Sequence, residues 1–453
     1  MTAISRRRFL SQCGQSAAAA AAAGSVLAAE APRERPNIIV MLADDLGYGD
    51  VGCFGQRIIK TPWVDRLAQQ GIRFTQCYAA STVCAPSRSC TVTGQHSGHT
   101  RVRGNDYVPL RPEDPSIGRM MQDAGYRTAI IGKWGLGEPG TTGIPTRQGF
   151  DEFFGYLNQV HAHNSFPTEL WRNEQIVTLD ANRDGKQGAY SNDLFLQESL
   201  AFVERNRRRP FFLLWWHTIP HAFPAQRQIE VPEIEPIYRD QSWPDIEKRF
   251  ASVVTRMDRH LGIMMQRLNK LGLTRNTIIL FTSDNGPQAV PPHDPTFFKS
   301  SGSLRGIKRD LYEGGICVPT VLRWPGRAPA GTVCDEPWVH YDMMATLADI
   351  VGKPVPKGTD GVSVLPLWQG RKAAPHPPFY WEFHEGGFHQ AVRMGDWKGV
   401  RHGLTKPLEL YDLRNDRAET RNVAARHPEV VARMEAFLKT ARTESKEFPI
   451  KEA

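Results

Sequence analysis

Four short apolar runs, each ending abruptly in polar residues, constrain this chain more than any other feature. Asn37-Ile38-Ile39-Val40-Met41-Leu42 leads into Asp44-Asp45, and Thr128-Ala129-Ile130-Ile131 leads through Gly132 into Lys133. Phe211-Phe212-Leu213-Leu214-Trp215-Trp216 leads into His217 and His221, and Thr277-Ile278-Ile279-Leu280-Phe281-Thr282 into Asp284-Asn285-Gly286. A strand with one wet face alternates apolar and polar side chains. A run that is apolar throughout must be covered on both faces, the pattern of a largely parallel sheet. Helical segments lie between the runs. Residues 249–271 place Phe250, Val253, Val254, Met257, Leu261, Met264 and Leu268 on one stripe. The expected fold is α/β, a large mixed but mainly parallel sheet sandwiched by helices. In open sheets of this kind the ligand crevice lies beyond the carboxyl ends of the strands. All four polar clusters sit at such ends, so they are candidates for one shared site.

At 453 residues the chain can hold one large domain and a smaller one. The proline-rich stretch 372–378 reads as their boundary, giving a main domain over 36–372 and a subdomain over 373–453. In the latter, Phe379-Tyr380-Trp381-Glu382-Phe383, residues 389–401 and residues 408–413 read as short antiparallel strands. A final helix at roughly 428–443 carries Val430, Met434, Phe437 and Leu438, completing a small α+β unit with an antiparallel sheet. Residues 1–29 read as a twin-arginine export signal. Arg6-Arg7-Arg8 precede an alanine-rich run and small residues near Ala28-Ala29. That run is too short for a membrane span, so a periplasmic or secreted location is expected, without stable membrane insertion. The net charge of +8 is a modest basic excess that suits an anionic substrate. No Lys/Arg stripe interleaved with aromatics points to nucleic acid. Six cysteines follow the leader, none in a zinc-like CxxC pair.

Cys84 opens Cys84-Ala85-Pro86-Ser87-Arg88-Ser89-Cys90-Thr91-Val92-Thr93-Gly94. A cysteine here precedes a proline-initiated helix, whose free N–H groups favour negative charge, and Arg88 lies one turn further on. The segment resembles, position by position, the C-x-P-S-R-x-x-x-x-T-G signature of type I sulfatases. Gly132-Lys133-Trp134-Gly135-Leu136-Gly137 resembles that family's G-K-W-H-L-G. Residues 305–315, with Lys308 and Tyr312-Glu313-Gly314-Gly315, resemble R-G-x-K-x-x-x-Y-E-G-G. The resemblance covers most of the chain from Pro36 onward and implies an alkaline-phosphatase-like fold. It also implies an arylsulfatase-like sulfuric ester hydrolase acting on a sulfated carbohydrate or aryl sulfate.

The resemblance implies further that a partner, a formylglycine-generating or sulfatase-maturating enzyme, converts Cys84 to 3-oxoalanine (formylglycine). The hydrated aldehyde is then the nucleophile, and the reaction passes through a covalent sulfo-enzyme. Asp44, Asp45, Asp284 and Asn285 are hard oxygen donors. Carboxylates crowded together raise one another's pKa unless a cation neutralises them, and oxygen-only ligation suits Ca²⁺ or Mg²⁺. By resemblance the metal is calcium rather than magnesium, with the residue-84 oxygen completing the site. Arg88 would hold the formylglycine hydroxyl, and Lys133 and Lys308 would bind sulfate oxygens. His221, in Pro220-His221, is the candidate general acid, shared with Lys308, and His217 is the competing choice.

Two positions depart from the family. Gly135 stands where a histidine is the proposed base for sulfate release; His163, or His161, is the candidate substitute. Cys317 stands where an arginine is read as structural. Trp171, Glu382, His384 and His389 are candidate sugar contacts. A phosphonate monoester or phosphodiester hydrolase of the same superfamily, and a non-catalytic sulfated-glycan binder, are the rival readings. Oligomeric state is not specified by the sequence.

Overall fold

The structure, a computed structural model, describes residues 35–451, so the export signal expected at 1–29 lies outside the described residues. The four apolar runs become the strands Asn37–Asp44, Arg127–Lys133, Phe211–Pro220 and Thr277–Ser283. They lie side by side and parallel at the centre of a ten-stranded sheet. In register, Leu42 stands between Thr282 and Trp216, so the strands end together and the polar residues after them converge. The outer strands are mixed: Thr320–Arg323 is antiparallel to Thr277–Ser283, and Glu169–Arg172 and Gln175–Thr178 form an antiparallel hairpin at the far edge.

Successive side chains of a strand point to opposite faces, and both faces are covered. Ile39, Met41, Leu213 and Trp215 pack with Phe250, Val254, Met257 and Leu261 of the helix Asp245–Lys270. Ile38, Val40, Leu214 and Trp216 pack on the other side with Val92, Met121, Met344 and Leu347. The long helix starts four residues before the apolar stripe. Asp245 and Glu247 occupy its first turn, where carboxylates meet the positive end of the helix dipole.

A separate four-stranded antiparallel sheet comprises Phe379–Phe383, His389–Met394, Trp397–His402 and Glu409–Asp412. The segment 389–401, expected as one strand, is a hairpin folding back at Gly395, whose φ of 61° lies in the left-handed region open to glycine. The helix Pro428–Leu438 covers one face through Val430 and Met434, against Tyr380, Val392 and Leu410. The other face sets Phe379, Trp381, Ala391 and Val400 against Tyr78, Val83, Cys90, Ile316 and Cys317. The small sheet thus backs directly onto the helix that Cys84 begins. Lys398 reaches across this contact to Glu313 and Glu419, 3.0 Å from each, with all three side chains fully buried. Arg417 lies 3.6 Å from Cys317 Sγ and donates to Thr75 O at 2.9 Å, so a guanidinium from a distant segment occupies the neighbourhood of Cys317.

Candidate active site

Cys84 is the first residue of the helix Cys84–Thr93, which ends at Gly94 with φ 68° and its N–H bonded to Cys90 O. The Thr-Gly close of the motif is therefore a left-handed C-terminal cap. The helix directs Sγ of Cys84 toward the strand ends, 3.3 Å from Asp44 Oδ1, 3.9 Å from Asp45 Oδ1 and 3.5 Å from Lys308 Nζ. Arg88, one turn on, is fully buried. Its Nε and Nη2 bond Asp284 Oδ2 at 3.0 and 2.8 Å, and Nη1 donates to Lys133 O at 2.8 Å. Its guanidinium lies 5.2 Å from the centre of the Trp216 ring. Lys133 Nζ is 2.7 Å from Asp44 Oδ2, and Lys308 Nζ is 2.7 Å from Asp45 Oδ2. Residues far apart in sequence therefore meet at the carboxyl ends of the four central strands, where a doubly covered sheet opens its crevice.

Three buried carboxylates face three buried cations. The neighbouring cations, Lys133 first, hold the Asp44 carboxyl well below its ordinary range against the opposing effect of burial. Burial, then Asp45, whose carboxylate favours the ammonium, set Lys308, whose net shift is upward, so it stays protonated. Burial and the Asp44 charge push Asp284 up to about 7, Arg88 opposing. The Cys84 thiol is pushed up to about 12, by burial first and Asp44 second. A thiol so placed is not a thiolate at neutral pH, and the thiolate is the nucleophilic form. Unmodified Cys84 is consequently a poor nucleophile in its own site.

Asp44, Asp45, Cys84 and His221 offer ligand atoms within 4.8 Å of one another, and the cluster could hold a metal ion. Asn285 Nδ2 donates to Asp45 Oδ1 at 2.7 Å, while Asn285 Oδ1 is buried without a partner. A buried carbonyl oxygen in need of a positive partner, beside three carboxylates, fits a hard cation.

His221 and His163 complete the wall, their rings stacked 4.3 Å apart and 7° from parallel. His221 Nδ1 lies 2.5 Å from Ala222 O, and Nε2 lies 3.3 Å from Asp45 Oδ2. Burial, then Lys308, drives the His221 pKa well down; burial, then His221, takes His163 to about 2. Both imidazoles are neutral at rest. His161 instead sets its ring edge-on to Tyr156, 5.0 Å away, and His217 sits against Asn192 and His260. Of the two expected pairs, the structure brings His163 and His221 to Cys84 and leaves the others outside.

A cavity of about 230 Å³ opens above Cys84, lined by His163, His221 and Lys308 and by the more exposed Asn105, Arg309 and Glu385. Arg309 Nε and Glu385 Oε2 pair at 2.7 Å, and Asn105 Nδ2 donates to Glu385 Oε1 at 3.2 Å. Gln159 and Gln288 also line it. Sequence reasoning named none of these five, although the empty position at Gly135 was a signal for one.

The expected sugar contacts do not gather there. Glu382 is fully buried, bound by Arg103 at 3.2 Å, Arg442 at 2.9 Å, Tyr380 at 2.9 Å and His384 at 3.0 Å. Its alternate place in the strand turns it inward, and His384 is tied to it. His389 stacks on Phe383 and meets His402, and Trp171 packs on the far-edge hairpin across from Gly155 and Ile176. None of the four lines the cavity.

Fold and site together define an alkaline-phosphatase-like hydrolase whose buried cations and acids surround a residue awaiting an anionic ester. The Sulfatase family model matches residues 36–353, and an N-sulphoglucosamine sulphohydrolase C-terminal model matches 307–444. The chain belongs to the sulfatase family and is a sulfatase. It is 31% identical to N-acetylgalactosamine-6-sulfatase of Canis lupus familiaris over 82% of this chain and 72% of that protein. It is 27% identical to N-acetylgalactosamine-6-O-sulfatase of Bacteroides thetaiotaomicron, over 90% and 94%. Among solved structures it resembles Ps i-CgsB, with a TM-score of 0.79 and 27% identity over 90% of this chain and 93% of that one. The same Ps i-CgsB has been solved with k-i-k-neocarrahexaose.

Proposed function

We propose that this sulfatase releases inorganic sulfate from a sulfated carbohydrate outside the cytoplasm, after a maturation enzyme converts Cys84 to formylglycine. The observation that carries the reading is the convergence of Arg88, Lys133, Lys308, His221 and the four oxygen donors around Cys84, which lines one cavity together with Lys308 and His221. The relatives' sugar substrates support the carbohydrate assignment. Formylglycine would supply one hydrate hydroxyl as the nucleophile and a second for the later expulsion of sulfate, and calcium would supply positive charge that favours ionisation of the attacking hydroxyl. Asp44, Asp45, Asp284 and Asn285 would hold the ion.

The chain's own groups set the electrostatics. Arg88, Lys133 and Lys308 balance Asp44, Asp45 and Asp284. A divalent cation then leaves a surplus of two positive charges, which a sulfate monoester and an ionised hydroxyl together cancel. Lys133 and Lys308 orient sulfate oxygens as point charges; Arg88 is locked by Asp284 and the Lys133 carbonyl and fixes the base of the site. His221 commits its Nδ1–H to Ala222 O, which leaves Nε2 facing the cavity. An arriving anion favours the imidazolium, so His221 gains the proton that it gives to the departing alcohol. Lys308, protonated throughout, is the second source. His163, stacked on His221, is the nearby imidazole for the proton of sulfate release, a role that requires the bound anion to lift its pKa from about 2.

The test is mass spectrometry of the peptide around residue 84 combined with a panel of sulfated oligosaccharides. A converted residue and sulfate release that disappears in Cys84→Ala are expected. Converted, calcium-loaded protein that frees sulfate from none of the panel would refute the assignment.

A further inference from the structure

Gly135 is not merely a missing side chain. A Cβ built there would lie 1.8 Å from Gln159 Nε2 and 2.5 Å from its Cδ, and the backbone φ of 78° independently favours glycine. The space beside Lys133-Trp134 is already filled, by a side chain from another loop. That loop is held in place by the main chain: Trp134 N donates to Tyr156 O at 2.9 Å and Gly135 N to Leu157 O at 3.0 Å. Gln159 follows two residues later and is only 6% exposed. Its Nε2 is buried and has no hydrogen-bond partner, and the residue lines the same cavity as Cys84, Lys308 and His221.

A buried amide donor without an acceptor calls for one. What enters this cavity, on the reading above, is an anion whose oxygens accept only. We infer that Gln159 donates from Nε2 to an oxygen of the sulfate group, and that Gly135 is glycine so that this amide can stand there. The inference rests on the sulfatase reading and adds to it an uncharged sulfate donor, one that does not titrate and cannot act as a base. Base and anion-binding duties are thereby split, the second falling to Gln159.

The test uses matured, metal-loaded protein and inorganic sulfate, which carries no sugar and so reports the anion subsite alone. Gln159→Met keeps the volume and removes the donors; Gln159→Glu keeps the shape and adds repulsion. Calorimetry should show sulfate binding weakened about 10-fold or more in Gln159→Met, the usual scale for a hydrogen bond to a charged group, and further in Gln159→Glu. Hydrolysis should lose a similar factor in kcat/KM. Melting curves check the fold, and if one variant is damaged the other is read. Sulfate bound within about twofold of the parent by a folded variant, or not bound by the parent at all, overturns the inference. A parent that is active while Gln159→Met is unaffected sinks this inference alone. A parent that binds sulfate through Gln159 but hydrolyses no sulfate ester sinks the activity instead.

Discussion

Replacing Lys398 with methionine should weaken the contact between the small sheet and the segment 305–315 that carries Lys308 and Glu313. The ammonium is 3.0 Å from Glu313 Oε1 and 3.0 Å from Glu419 Oε1, and none of the three side chains has exposed surface. Glu313 also accepts from the Tyr78 hydroxyl at 2.7 Å, and Glu419 accepts from Glu313 N at 2.6 Å, so neither carboxylate can swing out to water. Methionine keeps the apolar stem and strips the charge, leaving buried Glu419 without its counter-charge and Glu313 with only Arg393 and Arg417 to offset it. Breaking a buried pair in this way costs about 3–5 kcal/mol. The pH dependence has a definite sign. Burial already raises Glu419 to about 7, with Lys398 opposing, and loss of Lys398 raises both acids. The folded variant then holds protons that the unfolded chain releases near its ordinary carboxylate pKa. Its penalty is greatest at high pH and shrinks as pH falls toward that value. Urea unfolding at pH 8 should show the full loss, and at pH 5.5 a loss smaller by at least about 1 kcal/mol, the scale of one pKa unit. Sulfate release should fall as well, because Gly314 N bonds Arg305 O at 2.6 Å and Gly286 N bonds Gly315 O at 2.9 Å, tying Glu313 to both Lys308 and Asn285. A loss below about 1 kcal/mol at pH 8, or one that grows on acidification, refutes the reasoning.

Other perturbations have equally definite outcomes. Cys84→Ala should abolish sulfate release by about 10³-fold or more while leaving the melting temperature near the parent's, since the thiol makes only long contacts; retained turnover would contradict the assignment. Chelation should lower the melting temperature, and added calcium should restore it, because Asp44, Asp45 and Asp284 lose a shared counter-ion; differential scanning fluorimetry decides. His221→Ala should cost about 10²-fold on a sugar sulfate but much less on nitrophenyl sulfate, whose leaving group departs without a proton; equal losses would remove His221 as the acid. Burial takes His340 down to about 3, so its neutral form is favoured in the folded state. Stability is full above about pH 6.5 and declines as pH falls toward 3, by roughly 4–5 kcal/mol for this group. His340→Gln should flatten that acid slope in urea titrations, and an unchanged slope would count against it.

How far the sequence could be read depended on the kind of feature. The central strands were legible because burial on both faces leaves no room for polar residues along their length, and Asp44, Lys133, His221 and Asp284 were legible because they close those strands or follow them directly. Within the Cys84 helix, one turn relates Cys84 to Arg88 and the Thr-Gly close marks the cap, both local properties. The hairpin at Gly395 was missed because the strands on either side have similar composition. Glu382 was misread as a sugar contact because its residue type suits sugars, whereas its inward-facing register in the strand gives it to Arg103 and Arg442.

The sequence by itself determined the sheet, the donors gathered at its carboxyl edge and the motif cysteine among them, since each depends on residue type and short-range spacing. Tertiary structure alone decided that His163 rather than His161 meets His221, that Gln159 fills the place beside Gly135, and that Arg309 and Glu385 share the cavity. Those outcomes depend on the paths of loops between packed elements and on side-chain directions, which no local pattern encodes.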